Sequence, residues 1–379
     1  MSHEPMLLLT GATGLVGSEL LPHLLEANPD RQIIVLTRPG SDAAALDLSR
    51  RIKILHGDIT QPRLALDDEH YVNLQNGLNE IIHCAAETRF GLPLEQIRAT
   101  NTEGTRNLLK LAGGCRKLEK FAHVSTVFIV GRSMGHLTEM PLRHSNGFCN
   151  TYQQSKYEAE DLIFEAMQDI PIAIFRFSSL IGNSETGRVR QFNYVHRFLR
   201  VFPRNVLPMA PGDPAAPIDL IPTDWAIPAL AYLFDRSFVP GRIYHICAGP
   251  DASLTVREML DLTLEAFETN PRAGKWLPIH VPRLVSLAKY EEYVGRSVGN
   301  GDVLLDELLK VLGFFVPHLG MFQAFDNRHV QEALAGSGLL LPPIRDYYGK
   351  VIDYCLETNW GFKLHPEKQP QKATAAEPY

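Results

Sequence analysis

The chain of 379 residues carries 37 Lys and Arg against 43 Asp and Glu, a formal net charge of −6, and 45% hydrophobic residues, which suits a globular protein of one large domain or two modest ones and argues against a nucleic-acid partner. Five scattered cysteines without a C-x-x-C pair and fourteen histidines without H-E-x-x-H argue against a disulfide framework and a zinc site, so no metal is expected. No apolar run reaches the roughly 18 residues of a membrane span, and the chain enters its first strand too early for a signal peptide, so a cytoplasmic protein is expected.

In chain order, Met6–Leu9 is a short apolar run that reads as a buried strand, broken at Thr10-Gly11-Ala12-Thr13-Gly14. Leu15, Val16, Leu20, Leu21, Leu24 and Leu25 then fall on one helical face. Strand, glycine turn and helix in that order form the first half of a dinucleotide-binding βαβ unit. Gly11 permits the tight turn, Gly14 lets backbone N–H groups approach a pyrophosphate, and Gly17 lets the helix pack closely. The positive end of that helix faces the phosphates, with Thr13, Leu15 and Val16 in the contacting segment.

Gln32–Thr37 is the second strand, and no carboxylate follows it until Asp42. Arg38 suits a 2′-phosphate, because its planar fork makes charge-assisted bonds, so NADPH is expected over NADH; the alternative is a solvated loop residue. Arg51–His56 is a third strand, ending in Gly57-Asp58-Ile59, where Asp58 either meets the adenine amino group or closes a turn. Glu80–Cys84 is the fourth strand, and the small Ala85 and Ala86 after it leave room for a flat cofactor. Asn101-Thr102-Glu103-Gly104-Thr105 is expected to open a helix reaching about Ala112. Phe121–Ser125 is the fifth strand, running into Thr126–Gly131.

Tyr152 and Lys156 stand four apart, so on a helix they project from one side. A Lys ammonium near a phenol is expected to lower its pKa, and a tyrosine tuned this way exchanges a proton with a carbonyl oxygen. Ile172–Phe177 is the sixth strand, with Ser178, Ser179 and Leu180 expected beside the nicotinamide. Arg188, Arg190, Arg197, Arg200 and Arg204 follow, and no acidic residue occurs from Thr186 to Gly212. Phe192, Val195, Leu199 and Phe202 recur there at helical spacing. The stretch reads either as an amphipathic helix with a solvated basic face or as a docking face for a phosphate-bearing substrate or an acidic carrier protein. After a Pro/Gly-rich loop over Pro208–Pro217, a helix runs through Phe234. Arg242–Cys247 is a seventh strand, and a helix starts at Leu254-Thr255 with a hydroxyl near its cap. Residues 271–365 read as helical and irregular, and 366–379 as a disordered polar tail.

Six signals in this order resemble an extended short-chain dehydrogenase/reductase: T-G-A-T-G-x-x-G at Thr10–Gly17, G-D at Gly57-Asp58, H-x-A-A at His83–Ala86, N-x-x-G-T at Asn101–Thr105, V-S-T at Val124–Thr126 and Y-x-x-x-K at Tyr152–Lys156. The resemblance implies an α/β fold, a doubly wound parallel (Rossmann) sheet of about seven strands with a smaller, mostly helical C-terminal substrate domain. Residues 1–185 and the return segment 218–248 would form the nucleotide-binding domain, and 186–217 with 249–365 the substrate region. It further implies that Thr126 and Tyr152 address the reacting carbonyl oxygen, that Lys156 also holds the nicotinamide ribose, and that Asn101 steadies the site or its proton-relay water. A two-fold dimer is frequent in that superfamily.

The second half resembles the thioester reductase and fatty acyl-CoA reductase branch, the male-sterility type, through Phe175–Gly182, Asp219–Trp225 and Met321–Arg328. In that branch the substrate is an acyl group on a phosphopantetheine thiol, as CoA or carrier-protein thioester, reduced by NADPH to aldehyde or alcohol. A carbonyl reductase or nucleotide-sugar epimerase/dehydratase shares Tyr152, Lys156 and Thr126. A non-catalytic nucleotide sensor on the same fold is disfavoured by the intact Tyr–Lys pair.

Overall fold

The apolar runs of the first half become parallel strands because they are flanked on both faces by helices, which leaves no side of the sheet for water. The computed structural model describes residues 4–41, 51–205, 208–276, 278–297, 309, 313 and 316–361. Asp42 and the 366–379 tail lie outside these residues.

Seven strands form one sheet: β1 (Met6–Thr10), β2 (Gln32–Thr37), β3 (Ile52–His56), β4 (Leu78–His83), β5 (Lys120–Thr126), β6 (Ile172–Phe177) and β7 (Ile243–Ile246). Their spatial order is β3-β2-β1-β4-β5-β6-β7, all parallel. The chain winds outward from β1 in one direction, then returns to its other side at β4. That reversal opens a crevice beyond the carboxyl ends of β1 and β4, where ligands of such sheets lodge.

One face packs Leu7, Leu9, Ile33, Val35 and Phe175 against α1 (Leu15–Ala27) and a later helix, α7 (Thr223–Arg236). The other packs Leu8, Ile81, Phe121, Ile172 and Ile174 against α2 (Asp68–Gly77) and the helices that follow. Alternate residues of one strand thus serve opposite cores, the period-two rule of strands.

The helix expected to begin at Asn101 begins earlier. Segment α3 (Leu94–Arg98) runs through a π turn at Ala99–Glu103 into α4 (Gly104–Gly113). The buried Ile97 anchors the extra turn to the core, and the π turn places Asn101 inward at 1% exposure. Helix α5 (Thr151–Ala166) starts at Asn150, whose side chain accepts from Gln153 N. The basic stretch forms α6 (Tyr194–Val201), burying Val195, Phe198 and Leu199, with Arg188, Arg190 and Arg197 exposed.

A third core lies beyond the sheet. It joins Phe198, Val256, Met259, Tyr348, Val351 and Trp360 from α6, from α8 (Val256–Thr269), from a late helix at Tyr348–Glu357 and from the turn after it. The hydroxyl expected near the cap of α8 is Thr255, which exchanges hydrogen bonds with Glu258 in a capping box. Gln323–Phe325 pairs in parallel with Gly135–Leu137, bringing the late chain back to the edge of the site.

Candidate active site

The glycine turn is built for close approach. Gly11 has φ +74°, and a Cβ there would meet Ala85 N at 2.5 Å. A Cβ on Gly17 would lie 2.4 Å from Gly11 O, so the helix rests on the turn itself. Gly14 caps α1 without any side-chain bond, Thr13 and Gly14 are exposed, and the first helical turn holds no acid. The open N–H groups and positive helix end fit a pyrophosphate. Leu15 and Val16 are half-buried beside it. Arg38 is exposed directly past β2. Asp58 accepts from Thr60 N at 2.9 Å through Oδ1, closing the turn with one carboxylate oxygen, and the neighbouring Ile59 packs on Gly104. Ala85 and Ala86 line the end of β4, half-buried. These residues suit a dinucleotide lying across the crevice.

A buried polar chain ties the ends of β1 and β4 to the π turn. Thr105 Oγ1 donates to Asn101 O at 2.7 Å, which leaves it the acceptor for His83 Nε2 at 3.1 Å. His83 Nδ1 then accepts from Thr10 Oγ1 at 2.8 Å, and Thr10 in turn accepts from Ala85 N. Burial, with the Lys156 charge adding to it, pushes His83 down to about 3, so the ring is neutral and its tautomer is fixed by this chain.

Thr126 ends β5. Its hydroxyl donates to Phe177 O at 3.2 Å and accepts from Phe128 N, and it acts on the Tyr152 phenol as a neighbouring hydroxyl. Tyr152 and Lys156 sit on α5 as their spacing requires. The expected acidification of the phenol is not what the structure shows. Burial pushes Tyr152 up to about 12, and the opposing influence is the Thr126 hydroxyl. Lys156 turns to the strand instead: Nζ donates to Val124 O at 2.9 Å. Burial pulls Lys156 down to about 8, against the charges of Glu160 and Cys84.

Asn101 is fully engaged. Its Oδ1 accepts from Glu87 N at 2.7 Å, and its Nδ2 donates to Glu87 O and to Ser155 Oγ, both at 2.9 Å. It steadies the site by pinning the β4 loop to α5.

Several residues here escaped sequence reasoning. Phe90 stacks on Tyr152 with centroids 5.4 Å apart, and Tyr194 lies 5.2 Å from Phe90 and 6.1 Å from Phe128. The Tyr194 hydroxyl bonds to Ser179, which joins the Ser178–Leu180 segment to this aromatic wall. Behind it, Gln153 Nε2 meets His318 Nε2 at 2.9 Å, and His318 Nδ1 meets Gln323 Oε1 at 3.3 Å. The Asp219 carboxylate of the late motif is a clamp, accepting from Ala248 N, Gly249 N and Ser253 Oγ. Among the described residues, no group of three or more His, Cys, Asp or Glu could hold a metal ion, and no helix is long and apolar enough to cross a membrane.

Known proteins resemble this chain in sequence and fold. The chain is 32% identical over 222 residues to an isonitrile lipopeptide synthase of Streptomyces coeruleorubidus, covering 53% of this chain and 15% of that protein. It is 28% identical over 213 residues to the fatty acyl-CoA reductase wat of Drosophila melanogaster, covering 44% of this chain and 41% of that protein. It thus spans less than half the length of both relatives. The terminal R domain from the myxalamid PKS-NRPS biosynthetic pathway superposes with a TM-score of 0.78 at 26% identity, covering 95% of this chain and 92% of that one. The family model described as male sterility protein, an NAD-binding domain, matches residues 9–230. The chain therefore belongs to the male sterility protein family, a reductase branch of the extended short-chain dehydrogenases/reductases.

Proposed function

We propose that this chain reduces an acyl thioester, presented on CoA or on an acyl carrier protein, to the aldehyde or alcohol, with NADPH as reductant. The observation that supports it most is the neighbouring Thr126 and Tyr152 hydroxyls at the carboxyl end of β5, walled by Phe90 and Tyr194. A bound reduced nicotinamide supplies the hydride that brings the thioester carbon to the aldehyde level, with the carrier thiol as leaving group.

The protein does the rest. The Tyr152 hydroxyl, and the Thr126 hydroxyl once turned from Phe177 O, donate to the substrate oxygen as negative charge gathers on it. A phenol held near 12 keeps its proton at neutral pH, so Tyr152 meets the oxygen as a donor. Lys156 would hold the nicotinamide ribose with its ammonium, while Gly11, Gly14 and Gly17 would admit the pyrophosphate. Arg38, exposed past β2, pairs with a 2′-phosphate. The exposed arginines 188, 190 and 197 supply charge that suits the phosphate of a pantetheine arm or an acidic carrier.

The test follows NADPH loss and free thiol together, with acyl-CoA and acyl-carrier substrates of several lengths, beside aldehydes, ketones and nucleotide sugars. Thiol release in step with NADPH loss is the expected result. Turnover of carbonyls or sugars alone would replace this reading with the carbonyl reductase or epimerase one. In the same assay Arg38→Glu is expected to lower the NADPH/NADH preference at least about ten-fold; an unchanged ratio would remove Arg38 from the cofactor site.

A further inference from the structure

The buried side of the Lys156 ammonium rests on neutral acceptors. Nζ donates to Val124 O at 2.9 Å and lies 3.4 Å from His123 Nε2. The carboxylate one turn along α5, Glu160, is spent on Arg176, whose Nε lies 3.1 and 3.2 Å from its two oxygens and whose Nη2 lies at 2.7 Å. No carboxylate among the described residues forms an ion pair with Lys156. The other titratable groups facing this corner are His83 and Cys84 from β4 and its end, Arg176 from β6, and Tyr152 from α5.

His123 is 0% exposed, midway along the interior strand β5. Burial, and then the charges of Lys156 and Arg176, hold its ring neutral. His83 stands 5.4 Å away, ring to ring, with both its nitrogens committed to Thr10 and Thr105. A neutral imidazole has a single proton to place. With Nε2 facing an ammonium, that proton belongs on Nδ1, which is buried and has no hydrogen-bond partner among the described residues. An aliphatic core residue would orphan nothing, so the ring's orientation reflects what its other nitrogen does.

We propose that His123 is a positioning residue: as the neutral Nδ1–H tautomer it accepts a hydrogen bond from Lys156, aiming and sustaining the ammonium where no carboxylate is paired with it. The proposal rests on Lys156 being the working lysine of the proposed reaction, but the tautomer itself does not depend on which substrate is reduced.

Two experiments test it. Nitrogen NMR of the full chain labelled in histidine, at pH 7, is expected to show His123 protonated at Nδ1, a signal absent from His123→Gln. In Lys156→Met, the ring is expected to switch to the Nε2–H form. An Nε2–H ring in the wild-type protein would overturn the proposal, and that result is independent of any assay. The second experiment is the pH profile of kcat with whichever substrate is turned over. His123→Leu removes the acceptor and is expected to move the alkaline limb down by about one pH unit. His123→Gln offers an acceptor oxygen and is expected to bring the limb back toward the wild-type position. A limb unmoved in His123→Leu would also overturn the proposal. Failure on thioesters with the expected tautomer present would sink the substrate reading alone.

Discussion

Asn101 Nδ2 donates to Ser155 Oγ at 2.9 Å, one residue before Lys156, while the same carboxamide holds both backbone groups of Glu87. One side chain thus joins the loop after β4 to the helix that carries the phenol and the ammonium. Asn101→Ala would leave the Glu87 groups and Ser155 without these partners. We expect a loss of about 2–4 kcal/mol, read as a fall in the urea midpoint, and a kcat loss exceeding any change in cofactor affinity. An Asn101→Ala protein of unchanged stability would show that the contact carries no load.

Tyr152→Phe keeps the ring that stacks on Phe90 and removes only the hydroxyl. We expect kcat to fall about 10²–10⁴-fold, with NADPH affinity by fluorescence titration within about two-fold. Thr126→Val should cost less. Because the two hydroxyls act on one oxygen, the double variant should lose less than the product of the two single effects. Independent effects would mean that the pair does not act together.

Gly17→Ala adds one methyl group, 2.4 Å from Gly11 O, where only backbone could move. We expect destabilisation of about 1–3 kcal/mol and a cofactor affinity at least about ten-fold weaker. Melting temperature and the same fluorescence titration read both. A variant binding NADPH normally would separate the helix–turn contact from cofactor binding.

Lys156 is held to about 8 from an ordinary value near 10.5. Below pH 8 both folded and unfolded chains carry the proton, so the folded state bears the full cost of burying it. Between about 8 and 10.5 the folded lysine sheds its proton first, and the cost fades. Lys156→Met should therefore be more stable than wild type at pH 7, by about 1–2 kcal/mol once the bared Val124 carbonyl is counted. That advantage should shrink as pH rises through 8 to 10, while reductase activity is lost at all pH values. A variant less stable at pH 7 would reverse the assigned burial cost.

Where the chemistry is local, the residues declare it. Gly11, Gly14 and Gly17 fall within a single turn and its helix, and Tyr152 and Lys156 within one turn of α5, so spacing alone places them. Residues that meet by crossing the fold leave no such trace. Gln153 and His318 are 165 positions apart, and Thr126 reaches Phe177 across 51. Phe90 and Tyr194 belong to separate loop and helix segments, and ordinary aromatic residues in a sequence do not say which tyrosine they will face. The π turn at Ala99–Glu103 was equally hidden, because Asn101 there has the composition of a helix start. The Tyr152 phenol shows the limit from the energetic side: spacing gave its neighbour, and burial decided its acidity.

The parallel pairing of Gly135–Leu137 with Gln323–Phe325 makes the polypeptide a closed belt. The family model's match ends at residue 230, yet β7 at Ile243–Ile246, which covers the flank of β6, comes only afterwards. A fragment trimmed to the recognisable stretch would expose that flank to sticking edge-on to its copies. Anyone excising this reductase has to carry the buckle along with the strap.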